Sequence, residues 1–253
     1  MNLTRPTVVV VPCFNEAARL KPDAFVSAVR EHASLQFLFV DDGSTDQTAR
    51  VLDELIARNP GSLFCLKLSR NRGKAEAVRI GMREAFTRSP EIVGFLDADL
   101  STPISELPMM AGAFDDPHIQ VVLGSRVALL GRQIHRSNRR HYLGRVFATL
   151  ASMTLGLRVY DTQCGAKLFR NTEAIRRIFD REFLSSWAFD VELLARLRQM
   201  ERSDQIQPVA KTVVEVPLRR WTDVRGSKIG LGDSVIATLQ LLRIWWRYRV
   251  QEP

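Results

Sequence analysis

Four short apolar runs govern how the first half of this chain can fold. Each is followed at once by polar residues and then by a stretch of helical periodicity. The runs are TVVVV (7–11), LQFLFV (35–40), LFCLKL (63–68) and IVGFL (92–96). The spacing predicts helices over 17–32, 45–58, 74–87 and 103–114, with Ser44 capping the second, and a fifth strand over 119–124. Strands alternating with helices of this length form βαβ units and a mostly parallel central sheet flanked by helices, an α/β fold. Such sheets bind ligands beyond the carboxyl ends of their strands. The polar clusters after Val11, Val40, Leu68 and Leu96 fall there.

The second half is less regular. It reads as helices over 138–156, 171–180 and 187–200, strands over 160–169 and 211–218, and an amphipathic helix over 234–250. No repeat or linker interrupts the chain. The expectation is one domain over 1–230, with a C-terminal helix over 231–253 that belongs to it or lies at a membrane interface. The 253 residues are 45% hydrophobic and 25% charged, which excludes disordered and fibrous classes. Cys13, Cys65 and Cys164 are too far apart for a zinc motif and odd in number, so a reducing compartment is expected. The N-terminal apolar run is broken by Pro12 and does not read as a secretory signal. No stretch reaches the ~18–20 apolar residues of a membrane span.

Charge is segregated. Lys and Arg total 36 against 28 Asp and Glu. The 44 residues between Asp116 and Asp161 contain no carboxylate but seven arginines: Arg126, Arg132, Arg136, Arg139, Arg140, Arg145 and Arg158. A second acid-free stretch, between Asp233 and Glu252, carries Arg243, Arg247 and Arg249. Segregated arginine implies an anionic partner, most often phosphate. Nucleic acid is disfavoured, because no helix-turn-helix, zinc-finger or RNP pattern accompanies the charge.

Asp97-Ala98-Asp99 ends the fourth run, and two carboxylates so spaced can share Mg²⁺ or Mn²⁺ with a substrate phosphate. Taken alone, the same triplet reads as two solvated loop aspartates or a helix cap. Asp41 and Asp42 precede a turn at Gly43 and suit a ribose hydroxyl or a base N–H, although a plain capped turn has the same composition. Pro12 to Glu16 and Asn71 to Lys74 end the first and third runs. The four strand ends together are far more specific than any one of them. No GxGxxG, GxxxxGK[ST] or GxSxG is present, which disfavours Rossmann oxidoreductases, P-loop NTPases and α/β-hydrolases.

The blocks VVVVPCFNE (8–16), FVDDGSTD (39–46), NRGKAEAVRIG (71–81) and FLDADLSTP (95–103) resemble family 2 glycosyltransferases of the GT-A fold. Later blocks are VLGSR (122–126), DTQCGAKLF (161–169), FDVELL (189–194) and WTDVRGSK (221–228). They resemble the dolichyl- and polyprenyl-phosphate glycosyltransferases, the glucosyl branch more than the mannosyl one. That resemblance implies a nucleotide pocket lined by Pro12, Glu16, Asp41, Asp42, Lys74 and Ala98, and a metal held by Asp97 and Asp99. It implies that Arg126, Arg136, Arg140, Lys167 and Lys228 meet the acceptor phosphate or lipid. Asp161, Gln163, Asp190 and Glu192 fall where related enzymes carry functional groups; Asp161 and Asp190, with Arg126 and Arg140, stand among the catalytic candidates. Two positions depart from the mannosyl branch: Ser101 stands where it has Gln, and Gly144 where it has a small hydroxyl residue.

The resemblance further implies inverting transfer of a hexose, glucose from UDP-glucose, to a polyprenyl or dolichyl monophosphate. GDP-mannose as donor and a glycan or other non-lipid acceptor are the alternatives. The expected setting is peripheral, on the cytoplasmic face of a membrane, with a homodimer possible. Helices 138–156 and 234–250, the latter with Trp245 and Trp246, would supply the membrane surface, unless they pack on the sheet or bury a dimer contact.

Overall fold

The computed structural model describes residues 3–135, 138–224 and 239–250, with the backbone alone for 138–141 and 250. Its core is a seven-stranded sheet. The strands, in chain order, are β1 (Thr7–Cys13), β2 (Leu35–Asp41), β3 (Leu63–Lys67), β4 (Ile92–Leu96), β5 (Val121–Ser125), β7 (Ala166–Arg170) and β8 (Val213–Pro217). Their spatial order is β3-β2-β1-β4-β7-β5-β8. β7 runs antiparallel between β4 and β5, and the other pairings are parallel. A separate two-stranded ribbon joins β6 (Gln133–His135) to β9 (Arg220–Thr222), neither of which the sequence pattern announces.

Alternating side chains of the central strands feed two cores. Val8, Val10, Leu38 and Val40 face α3 (Lys74–Thr87), α7 (Phe189–Arg202) and part of α5 (Asn138–Leu155). Val9, Val11, Phe37 and Phe39 face α1 (Pro22–Glu31), α2 (Thr48–Ala57) and α4 (Leu107–Gly112). α3 lies unusually close to the sheet. A Cβ at Gly81 would stand 2.4 Å from Val10 Cγ1, so only glycine fits there. Pro12 is tolerated in a central strand because the β1–β4 ladder ends at Val10↔Phe95.

Several expected elements differ. Helix 17–32 starts only at Pro22, and α2 starts at Thr48 without Ser44 as its cap. Ser44 Oγ instead accepts the Asn15 N–H, while Asp46 accepts the Thr48 N–H. The 103–114 helix breaks into α4 flanked by single 3₁₀ turns, because Pro108 has no N–H to continue a helix begun at Ile104. Helix 171–180 shrinks to α6 (Glu173–Arg177), and a short α8 (Val209–Thr212) precedes β8. The C-terminal helix, over 239–250, is part of the core: Leu241 and Ile244 are buried against α7.

Candidate active site

The polar loops after β1, β2, β3 and β4 converge at one end of the sheet. Asn15, at φ 53°, fixes the first to the second: its Oδ1 accepts the N–H groups of Thr45 and Asp46. Glu16 and Ala17 donate backbone N–H groups to Thr48 Oγ1. Asp41 and Asp42 are both buried. Asp41 Oδ1 accepts the Ser44 N–H, tightening the turn at Gly43. Asp42 accepts from Arg72 N (2.7 Å) and Gly73 N (2.8 Å), which sets the loop that opens α3 and places Lys74.

Lys74, in the first turn of α3, reaches across to Asp97, with Nζ 2.6 Å from Oδ1. Burial works to lower the ammonium pKa, but Asp97, Asp190 and Asp99 outweigh it and raise it. Asp97 and Asp99 stand in a turn stabilised by Ser101 N donating to Asp99 Oδ1 (2.9 Å). Leu100 in that turn sits at φ 52°, a left-handed conformation that costs a branched residue roughly 1–2 kcal/mol. Asp97 N donates to the carbonyl of Gly165, and a Cβ at Gly165 would lie 2.0 Å from Asp97 Oδ2. Gly165→Ala is therefore expected to push the Asp97 carboxylate out of place. Turnover should fall about 10²-fold, the effect of a misplacement near 1 Å. Circular dichroism should be unchanged, and kinetics with the expected donor check the loss.

A second layer lies behind these carboxylates. Lys167 on β7 is fully buried; its Nζ is 2.6 Å from Asp190 Oδ1 and donates to the Cys164 carbonyl. Burial raises the Asp190 carboxyl, although Lys167 and Lys74 draw it down. With its ammonium so engaged, Lys167 supports the site from beneath rather than from its surface. Arg126, just past β5, forms a two-pronged pair with Asp161: Nε–Oδ2 and Nη2–Oδ1 are each 2.7 Å. Burial works to raise Asp161, but Arg126 overrides it and leaves the carboxyl at about 2. The Arg126 guanidinium also lies 5.3 Å from the ring centre of Trp221 on β9.

Glu215 on β8 completes this layer. Its two oxygens accept the backbone N–H groups of Tyr160 and Asp161, each at 2.8 Å. That is why the expected strand over 160–169 begins only at Ala166: the earlier residues bond to carboxylates, not to a ladder. The only sequence signal for Glu215 was a single charge within an apolar strand. Tyr160, for its part, stacks under Arg145 of α5, 3.9 Å from the ring centre.

The residues brought together are thus Glu16, Lys74, Asp97, Asp99, Arg126, Asp161, Lys167 and Asp190, with Pro12 and Ala98 at the adjoining strand ends. Arg136 and Lys228, and the Arg140 side chain, lie outside the described residues. Among the described residues, no group of three or more Asp, Glu, His or Cys is arranged to hold a metal by itself. A divalent cation fits all the same. Asp97 and Asp99 are hard oxygen donors, and Mg²⁺ or Mn²⁺ typically takes one or two carboxylates plus substrate phosphate. Asp97 already faces a cation, the Lys74 ammonium. Glu16 Oε2 is buried with no hydrogen-bond partner among the described residues. Burial raises its carboxyl, Arg19 draws it down, and Asp99 and Asp97 raise it further. Ser125 Oγ, Thr162 Oγ1 and Gln163 Nε2 are likewise buried and unpartnered. Buried polar atoms rarely stay unsatisfied.

Comparison with known proteins agrees with this geometry. The sequence profile "Glycosyl transferase family 2" matches residues 8–178. A dolichyl-phosphate beta-glucosyltransferase of Drosophila melanogaster is 34% identical, over 96% of this chain and 75% of that protein. The Saccharomyces cerevisiae protein of the same description is 32% identical, over 95% and 74%. Among solved structures, glucosyl-3-phosphoglycerate synthase from Mycobacterium tuberculosis, in complex with Mn²⁺ and UDP-glucose, superposes with a TM-score of 0.66. That match has 20% identity and covers 98% of this chain and 80% of that one. A Pyrobaculum calidifontis mannosyltransferase in complex with GDP-mannose and Mn²⁺ gives a TM-score of 0.61 at 18% identity, over 99% and 66%. These neighbours share the GT-A architecture; by its sequence, this chain belongs to glycosyltransferase family 2.

Proposed function

We propose that this protein transfers glucose from UDP-glucose to a polyprenyl or dolichyl monophosphate, with inversion at the anomeric carbon. The observation that carries the reading is the likeness, over nearly the whole chain, to several proteins described as dolichyl-phosphate beta-glucosyltransferases. The paired Asp97 and Asp99 at the end of β4 support it, because two neighbouring carboxylates can hold the cation that a nucleoside diphosphate needs. They would hold Mg²⁺ or Mn²⁺, which when bound neutralises the charge that develops on the leaving diphosphate.

The chain's own residues do the rest. Lys74 exchanges its pairing with Asp97 for the diphosphate once a ligand arrives. Asp41 and Asp42 hold the turns that shape the nucleotide pocket. Arg126, kept rigid by Asp161, presents its remaining donors to phosphate. No side chain has to remove a proton from the acceptor. A phosphate monoester has its second pKa near ~6 and is largely dianionic at neutral pH. Asp161, ionised at about 2 and clamped on Arg126, acts as a holder and not as a base.

The lipid acceptor is favoured over a water-soluble one by two adjacent apolar stripes. α5 exposes Tyr142, Leu143, Val146, Leu150 and Met153, while its Ala148, Ala151 and Leu155 are buried. The C-terminal helix exposes Leu239, Leu242, Trp245 and Trp246. Arg249 ties the helices together by donating to the Met153 carbonyl (3.0 Å). Arginines flank both stripes, an arrangement suited to lying peripherally on an anionic bilayer at its cytoplasmic face. Replacing Trp245 and Trp246 together by alanine is expected to weaken flotation with anionic vesicles by about tenfold. Undiminished flotation would assign the stripes to another role, such as a dimer contact.

The deciding experiment offers labelled UDP-glucose and GDP-mannose, each with polyprenyl phosphate or with 3-phosphoglycerate. The expected product is a β-linked glucosyl lipid phosphate from UDP-glucose. Transfer only from GDP-mannose, only to the soluble acceptor, or with an α linkage would sink the reading.

A further inference from the structure

Helix α7 carries Asp190 in its first turn, and the N-cap side chain makes no capping bond to it. Its N-cap residue is Ala188, which has no side chain able to accept a hydrogen bond. The first N–H groups of an α-helix have no partner within the helix and need an acceptor from elsewhere. For Ala188 the acceptors are Ser185 and Gln240, the latter on the C-terminal helix. Gln240 Oε1 accepts the backbone N–H of Ala188 (3.2 Å) and of Trp187 (3.3 Å), and the hydroxyl of Ser185 (2.5 Å). Ser185 Oγ in turn accepts the Ala188 N–H at 2.7 Å.

A second set of bonds locks the same segment. Glu192, fully buried, accepts the N–H groups of Leu184 (2.8 Å) and Ser185 (3.2 Å) through Oε2. Its Oε1 accepts from Arg196 and from the hydroxyl of Tyr248, which also belongs to the C-terminal segment (2.8 Å). Arg196 then binds the carbonyls of Ile178, Arg181 and Glu182. The 184–188 turn is therefore held on one side by α7 and on the other by Gln240 and Tyr248.

We propose that Gln240 is a positioning residue of the active site: from the C-terminal helix it braces the 185–188 turn that leads into α7 and thereby sets the place of Asp190. The route is short. Gln240 fixes Trp187 and Ala188. Asp190 follows two residues later and pairs with Lys167 at 2.6 Å. It also lies within electrostatic reach of Lys74 and Asp97. The helix that bears Gln240 also exposes Leu239 and Leu242.

Three variants of the full chain test this: Gln240→Ala, Gln240→Met, which keeps the side-chain length without the acceptor, and Gln240→Glu, which keeps it. Turnover of Ala and Met is expected to fall about 10- to 100-fold, the effect of a displaced group in the site's supporting layer, with KM for UDP-glucose within about twofold. Glu is expected to restore most of the rate. Hydrogen exchange of the amides over 184–191 should quicken at least about tenfold in Ala and Met, and not in Glu. Wild-type exchange over 184–191 in both Ala and Met would overturn the proposal. So would a loss of rate that Glu does not relieve. The choice of UDP-glucose rests on the reading above, but the exchange measurement needs no substrate. If wild-type protein is inactive with UDP-glucose while the exchange pattern holds, the donor assignment fails and the bracing role stands.

Discussion

Asp99→Ala is expected to reduce glucosyl transfer by about 10³-fold or more. A preorganised group opposite the developing charge of a leaving group is worth on the order of 10²–10³ in rate by itself. On the proposed function, one of the two carboxylates that would hold the cation goes as well. Asp99 is the cleaner target of the pair. Asp97 is tied to Lys74 at 2.6 Å and packed against Gly165, so its removal also frees a cation and opens a space. Asp99 is half-buried and its described bond is to the local Ser101 N–H. Folding stability should therefore change little. The measurement is turnover with saturating UDP-glucose and Mn²⁺, alongside the rise in melting temperature that UDP and Mn²⁺ give together. Both should vanish in the variant while its unliganded melting temperature holds. Retained turnover would mean that Asp97 and Asp99 are turn residues and that the leaving diphosphate is met elsewhere. Removing divalent metal with a chelator should act on the wild type as the substitution does.

The second large effect concerns stability. Asp161→Ala leaves the Arg126 guanidinium largely buried without its two-pronged partner; the two side chains are 13% and 8% exposed. Breaking a buried pair from one side costs about 3–5 kcal/mol. For a chain of this size that corresponds to a fall in melting temperature of roughly 10 °C. The pH dependence has a definite sign. The folded Asp161 carboxyl sits at about 2, below its ordinary value of about 3.9. Its contribution is present in full above pH ~4 and is lost as pH falls toward ~2. Urea midpoints of wild type and variant should thus differ most above pH ~4 and converge at lower pH. A gap that stays constant down to pH ~2 would show that the pair is not the source. Turnover should fall as well, because Arg126 loses its orientation.

These two residues mark how differently the site's parts are written in the chain. Asp97 and Asp99 were legible because the signal is local: an apolar strand, a carboxylate pair, then a proline. Asp41, Lys74 and Glu16 were legible for the same reason, each standing at the end of a strand whose period gives it away. Arg126 and Asp161 were both singled out, but not as a pair, since 35 residues separate them. Lys167 was expected among the acceptor-phosphate groups and Asp190 among the catalytic candidates. The fold buries Lys167 completely and pairs the two in a salt bridge, which neither position announces.

The sequence by itself determined the βαβ frame, the family and the strand ends at which chemistry gathers, because hydrophobic period and turn composition act over a few residues. Only the tertiary structure decided which charges neutralise one another and what holds them. Glu215 reaches Tyr160 and Asp161 from 55 and 54 residues away, and Gln240 reaches Ala188 from 52. A lone glutamate in a strand or a glutamine in a helix carries no mark of its partner. The partner is an unpaired backbone N–H, and which N–H groups remain unpaired is settled only when the sheet and helices have taken up the others.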